Sequence, residues 1–157
     1  MTDAAAARTR EERIRDTHQR LADDVDTWVS TASEAGTPYL VPLSFLWDGT
    51  SVVISTVRTS PTSRNLLASG GQVRLAFGAT RDVILVEGVA EPIEGDVLDE
   101  ELAAAFAAKT GFDPREENEP YQYFRIRPRR VQAWREVDEL AGRTLMKDGE
   151  WLTAEAT

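Results

Sequence analysis

Cysteine is absent from the 157 residues, histidine occurs once, at His18, and lysine occurs only at Lys109 and Lys147. Without cysteine there are no disulfides, thiolate metal sites or thiol nucleophiles, a composition that suits a reducing cytosol. With a single histidine, set in a polar helix, and no cysteine, no Ser-His, Cys-His or His-rich zinc constellation is expected, and no metal site. His18 lies in a polar N-terminal stretch and reads as a solvated surface residue. Positive charge is also short: 18 basic residues face 27 acidic ones, a formal net charge of -9. Such a surface repels nucleic-acid phosphates and anionic lipid, so neither is an expected partner. No apolar run reaches the roughly 18 to 20 residues of a membrane helix. The first twenty residues mix alanine with charge and lack an apolar signal core, so the expected location is cytoplasmic.

What is present is a globular composition, with 41% hydrophobic and 29% charged residues. The expected division is an N-terminal helical segment over 1–25, one domain over 26–146 and a tail over 147–157. Thr9 and Glu12 have capping-box spacing at the head of a helix running to about Asp24. Its apolar content is thin, Ile14 and Leu21, which suits a surface helix or one held against a partner. From Thr27 the pattern shifts to period two. Strands are expected at Thr27–Ser33, Pro38–Trp47, Ser51–Val57, Val73–Gly78, Val83–Ile93 and Tyr123–Val137, with helices at Ser60–Ser69 and Asp99–Lys109. In the second strand Tyr39, Val41, Leu43, Phe45 and Trp47 share one apolar face, and Asp48-Gly49 is a tight hairpin signal. Short strands, tight turns and a few inserted helices predict a mainly β fold, a six-stranded antiparallel barrel with helical additions.

Three stretches carry chemistry. In Ser55-Thr56-Val57-Arg58-Thr59-Ser60-Pro61-Thr62-Ser63-Arg64-Asn65 a strand runs into a helix start, with Ser60 suited to the N-cap and Pro61 to the first helical position. The free N–H groups there, the hydroxyls of Thr56, Ser60 and Thr62, and the forked donors of Arg58 and Arg64 could grip a phosphate. The plainer reading is a capped helix with solvated arginines. In Val41-Pro42-Leu43-Ser44 a proline interrupts an apolar strand and frees backbone groups to meet a flat ligand, with Ser44 as a polar contact. The plainer reading is an edge strand packed into the core. In Arg129-Arg130-Val131-Gln132-Ala133-Trp134, followed by Arg143, the indole is either core or a lid over a ring. The run from Asp113 to Glu119 reads as a solvated loop. No catalytic side chain stands out, so any reactive atom is expected to come from a cofactor.

Taken in order, Gly36-Thr37-Pro38-Tyr39-Leu40-Val41-Pro42-Leu43, Trp47-Asp48-Gly49, Ser60 with Arg64-Asn65-Leu66, Val86-Glu87-Gly88-Val89-Ala90, Phe124-Arg125-Ile126-Arg127-Pro128 and Val131-Gln132-Ala133-Trp134 resemble the split-barrel flavin- and deazaflavin-binding superfamily that includes pyridoxamine 5′-phosphate oxidase. The resemblance implies a homodimer of six-stranded split barrels with cofactor sites at the subunit interface. The implied cofactor is FMN or F420, its ring along Pro42, Leu43 and Ser44 and its phosphate near Ser55, Thr56, Arg58, Ser60, Thr62, Arg64 and Asn65. Trp134 and Arg143 would reach the cofactor from the partner subunit. Two departures stand out. Relatives often carry lysine where this chain has Thr62. The His-containing substrate motif of the oxidase branch is replaced by Gly142-Arg143-Thr144-Leu145-Met146, which argues against pyridoxamine-phosphate oxidation itself. The implied activity is hydride transfer between the cofactor and a small organic substrate. A non-catalytic module that stores the same cofactor would need the same pocket.

Overall fold

The structure, a computed structural model, describes residues 6–95 and 98–153. Residues 1–5 of the expected helical segment and 154–157 of the expected tail lie outside the described residues. Helix α1 spans Arg10–Asp23 and opens on the Thr9–Glu12 capping box. Strands β1 (Asp26–Ala32), β2 (Pro38–Trp47) and β3 (Val52–Val57) follow, then α2 (Pro61–Ala68), β4 (Gln72–Phe77), β5 (Val83–Ile93), α3 (Glu100–Thr110), β6 (Tyr121–Trp134) and a C-terminal pair, β7 (Thr144–Lys147) and β8 (Glu150–Trp151). All pairings are antiparallel, in the order β3-β2-β1-β4-β5-β6-β7-β8, and a β3–β6 pairing closes the first six strands into a barrel. The barrel with its helices is the expected architecture. The segment read as a tail beyond residue 146 is in part a strand, because β7 and β8 extend the sheet from β6.

The barrel interior is filled by alternating residues of its strands. Val29, Phe45, Ile54, Leu75, Phe77, Val86, Phe124 and Ile126 are all buried, with Phe45 and Phe77 meeting edge to face at 4.9 Å. A second, smaller cluster joins Val53, Phe106 and Tyr123 under α3 on the outside of the barrel wall. Pro128 falls where the β5–β6 register shifts, at Glu87/Gly88, so the proline marks a bulge within a paired strand rather than a free edge.

Helix α1 is held by arginines as well as by Leu21, which is buried in the barrel core, and Ile14, which packs against it. Arg13 is 5% exposed, and its guanidinium donates to the carbonyls of Ala133, Glu139 and Ala141 at 3.1, 2.9 and 3.2 Å. Arg8 clamps the buried Glu139 carboxylate, and Arg20 donates to the Asp82 carbonyl at 2.8 Å. The thin apolar pattern of this helix therefore hides a buried polar seam. His18 is not solvated: it is half-buried against Trp151, with ring centroids 4.6 Å apart, and near Trp47 at 5.9 Å. Burial there lowers the imidazole pKa.

One backbone approach permits no side chain. Gly71 has φ +80°, and a Cβ on it would lie 2.1 Å from the Ala90 carbonyl oxygen, the next residue partner across the β4–β5 seam. The Ala90 N–H donates to Gly71 O at 2.7 Å, which fixes that approach. Gly71→Ala is expected to lose at least about 1–2 kcal/mol from the left-handed backbone alone, with the clash in addition. A urea melt compared with wild type measures it; an unchanged midpoint would mean the seam can open without cost.

Candidate functional site

The parity of the β1–β2 ladder decides where the interrupted strand opens. The Phe45 N–H donates to Val25 O at 2.9 Å, so odd residues of β2 address β1. Even residues, Pro42 and Ser44 among them, turn their nitrogens toward β3. The β1–β2 register runs unbroken through Trp28 opposite Pro42, while the β2–β3 register ends at Phe45 opposite Ile54. The proline thus leaves the ladder with β1 intact, and the freed backbone groups expected there lie on the β3 side. The opening lies on the other side, where β2 and β3 diverge.

A cavity of about 420 Å³ fills this opening. Five of the expected site residues line it: Pro42, Leu43 and Ser44 from β2, and Ser55 and Thr56 from β3. Asp26, Val57, Phe106, Phe112 and Tyr121 complete the wall. Phe106 comes from α3, and Phe112 and Tyr121 flank the loop after it, their rings 5.5 Å apart. The Ser44 hydroxyl donates to Asp26 Oδ1 at 2.9 Å, so Ser44 presents lone pairs, not a proton, to the cavity.

Helix α2 begins beside the same opening. The Ser60 N–H donates to Val57 O at 2.9 Å, and its hydroxyl accepts from the Ser63 N–H and meets the Thr56 hydroxyl at 3.1 Å. Pro61 occupies the first turn. The hydroxyls of Ser55, Thr62 and Ser63 are buried and without hydrogen-bond partners. Of these three residues only Ser55 lies on the cavity wall, whereas Thr62 and Ser63 are buried in the first turn of α2, whose free N–H groups suit an anionic group at the helix start. Arg58 and Arg64 are exposed on either side, and among the described residues neither forms an ion pair.

Three expected site residues stand apart. Asn65 donates to the Thr31 hydroxyl at 3.1 Å and pins α2 to β1 rather than facing the cavity. Trp134 ends β6 opposite Val83, and the Arg143 guanidinium lies 5.2 Å from the centre of its ring. Tyr121, at the cavity, is the first residue of the same strand, so one chain does not bring Trp134 to its own cavity. The run Asp113–Glu119 is exposed from Arg115 to Glu119, as expected of a solvated loop, and Asp113 caps a 3₁₀ turn within it at Pro114–Glu116, with Pro114 buried.

Sequence reasoning missed Asp26, Val57, Phe106, Phe112 and Tyr121. The pairing of Val57 with Tyr121 was accessible in principle from strand register. Nothing local distinguishes Asp26 from the neighbouring Asp23 and Asp24, and nothing in the period of α3 singles out Phe106 as facing a cavity. A larger cavity of about 610 Å³ lies between the start of α3 and the Asp48–Arg125 pair, and none of the expected residues lines it. Burial works against the charge on Asp48, but hydrogen bonds from Ser51 and Thr50 and the charge of Arg125 outweigh it and hold the pKa at about 2. That carboxylate is a structural partner of Arg125.

Fold and site together define a closed antiparallel barrel with an anion-ready helix start beside an opened seam. The family model for pyridoxamine 5′-phosphate oxidase matches residues 16–135, and the chain belongs to that family. No curated protein matches the sequence. Among solved structures, an F420 reductase aligns with TM-score 0.60 at 16% identity, covering 73% of this chain and 94% of that one. A FAD-binding protein from Mesorhizobium loti aligns with TM-score 0.60 at 18% identity, covering 75% and 89%. The heme storage protein HutZ from Vibrio cholerae aligns with TM-score 0.58 at 15% identity, covering 80% and 95%. At these identities the likeness is one of fold.

Proposed function

We propose that the protein is a homodimeric oxidoreductase that binds a flavin or deazaflavin, FMN or F420 in the simplest case, and acts on a small organic molecule. The observation that supports this reading is the seam lined by Pro42, Leu43, Ser44, Ser55 and Thr56, with the start of α2 tied to Thr56 through the Ser60 hydroxyl. A cofactor ring bound in such a seam supplies hydride transfer. The chain's part is to hold and orient. Backbone groups of Pro42–Ser44 would hold the ring, Phe106, Phe112 and Tyr121 would keep water from it, and the α2 start with Arg58 and Arg64 would take the phosphate. The Asp26 carboxylate keeps the Ser44 hydrogen engaged, so an N–H of ring or substrate finds an acceptor there.

Haem, which the Vibrio cholerae protein is described as storing, suits this cavity less well. Haem iron needs a ligating side chain. His18 is packed against Trp151 and does not line the cavity, and there is no cysteine, so Tyr121 is the side chain of the cavity wall that could ligate haem iron. A module that binds the cofactor without turnover is the second reading. It is favoured by one feature: Asp26 is the only carboxylate, and no imidazole or amine, among the residues lining the cavity.

The dimer belongs to the same proposal. Trp28 and Leu40 are 49% and 59% exposed, and with Pro42 they lie on one face of β1–β2, because Trp28 pairs with Pro42 and Ser30 with Leu40. Phe45 is fully buried in the barrel and is not available to an interface. Trp134 and Arg143 would complete the cavity of the other subunit. Light scattering at micromolar concentration is expected to give about twice the 17.4 kDa chain mass. A stable monomer would remove the partner's contribution.

The function itself is tested by titrating the purified protein with FMN and with F420, then following reduction by NADPH or an F420-reducing system and reoxidation by candidate acceptors. Saturable binding with turnover is expected. Binding without redox turnover favours the storage module, and no binding of either compound ends the proposal.

A further inference from the structure

Charge is unevenly placed around the seam. Asp26 is the only charged residue lining the cavity of about 420 Å³. It stands opposite Ser44 in the ladder, on the β1 side of β2, whereas the α2 start stands on the β3 side, tied to Thr56 through the Ser60 hydroxyl. Arg58 and Arg64 do not line this cavity. Asp26 is exposed at the cavity mouth, and among the described residues its carboxylate forms no ion pair. Its Oδ1 accepts the Ser44 hydrogen, and Oδ2 takes no part in that bond.

The charges that α1 and α3 bring to this end of the barrel do not supply the cavity with a cation. Asp23 and Asp24 end α1, and Arg20 lies 3.8 Å from Asp24. Lys109, in the last turn of α3, places its ammonium 4.8 Å from the centre of the buried Phe45 ring, in the field of Asp24 and Asp23. The rest of the cavity wall is largely apolar. Phe106 is buried, Phe112 and Tyr121 are half-buried with rings 5.5 Å apart, and Pro42, Leu43 and Val57 add aliphatic surface. Aromatic ring faces attract cations and offer nothing to an anion.

We propose, resting on the flavin or deazaflavin reading above, that the substrate admitted to this cavity is an organic cation: a positively charged nitrogen on an apolar, flat body that bears no carboxylate or phosphate. The nitrogen is held at the Asp26 carboxylate, and the body lies against Phe106, Phe112 and Tyr121. Three effects act together. The body gains by leaving water. The charge gains from the ring faces. It gains again from a carboxylate that the Ser44 hydroxyl orients. A carboxylate of the same shape meets Asp26 with no cation on the wall to offset the repulsion, and a neutral alcohol keeps the first effect alone. The net charge of -9 draws any amine toward the surface, so a decisive measurement has to place the ligand as well as weigh it.

Three probes of one shape separate these effects: naphthylmethylamine, naphthalenemethanol and naphthoate, titrated into the purified protein with and without saturating FMN or F420. The amine is expected to bind at least about tenfold more tightly than the carboxylate, with the alcohol between them, and to bind alongside the cofactor. Asp26→Asn keeps an oxygen for the Ser44 hydroxyl, so the melting temperature should stay within about 2 °C of wild type. It is expected to weaken the amine about two- to fivefold, to leave the alcohol unchanged and to tighten the carboxylate. Phe112→Ala is expected to weaken all three probes by a common factor, which places them in this cavity. An amine that binds no better than the carboxylate, whose preference survives Asp26→Asn undiminished, whose affinity is untouched by Phe112→Ala, or which the cofactor displaces, overturns the assignment and leaves the redox reading to stand on cofactor binding. A protein that binds neither cofactor yet keeps the Asp26-dependent preference overturns the redox reading and leaves a cation-binding cavity.

Discussion

Arg8→Ala is expected to destabilise the protein by about 3–5 kcal/mol, because it strands a buried carboxylate. Glu139 is 3% exposed, and Arg8 meets it with Nε at 2.9 Å and Nη2 at 2.8 Å, while its own main-chain N–H donates at 3.1 Å. The Arg135 N–H supplies a further bond at 2.9 Å. Removing the guanidinium leaves two main-chain donors and no countercharge. At this chain length each kcal/mol moves the melting temperature by roughly 2–4 °C, so a fall on the order of 10 °C follows. The exposed Arg74–Glu87 pair, 75% and 37% exposed, is a suitable control, since surface pairs contribute roughly 0–1 kcal/mol. Equal, small losses in both variants would show that the Arg8–Glu139 contact is not buried in solution.

The same pair gives stability a pH signature. The Arg8 hydrogen bond, aided by main-chain donors and against the effect of burial, lowers the Glu139 pKa from 4.5 to about 2. A carboxyl whose folded pKa is depressed binds its proton more readily when unfolded. Its contribution is therefore complete above about pH 4.5 and is lost as the pH falls toward 2. In Arg8→Ala burial dominates and the carboxyl pKa rises, so the acid limb of the stability profile should move to higher pH. Chemical denaturation between pH 7 and pH 3 reads this directly.

What the sequence conveys about this molecule depends on the range of each interaction. The barrel strands were legible because period two is written locally, and the α2 cap because Ser60-Pro61 specifies it within two residues. The seam at Pro42–Ser44 was legible for the same reason, although the side on which it opens was not. That side depends on a ladder parity set by Val25 and Phe45, and on where β3 stops pairing. The attachment of α1 was hidden because Arg13 satisfies three carbonyls more than a hundred residues away, and a buried arginine has the same letter as a solvated one. Phe106 and Phe112 were hidden because α3 is an insertion whose docking position follows from tertiary packing. Trp134 and Arg143 are the converse case: recognised by resemblance, they lie at the far end of β6, where only a second subunit would bring them into use.

The largest binding effect is expected from the two arginines that flank the α2 start. In the free chain Arg58 and Arg64 are exposed, so neither contributes much to folding, and substitution should leave the melting temperature within about 1 °C of wild type. A charged hydrogen bond to phosphate is worth about 1.5–3 kcal/mol. Arg58→Ala and Arg64→Ala should then each weaken the bound cofactor by roughly 10- to 150-fold, and the double variant by more than either. The two need not be equal. Arg58 follows the cavity-lining Val57 and is held by its main-chain N–H to Pro120 O at 2.9 Å, whereas Arg64 projects from the first turns of the helix. Raising the salt concentration should weaken wild type more than the double variant, since the screened charge has been removed from the latter. If both variants bind the cofactor as wild type does, the α2 start is a helix cap and no more.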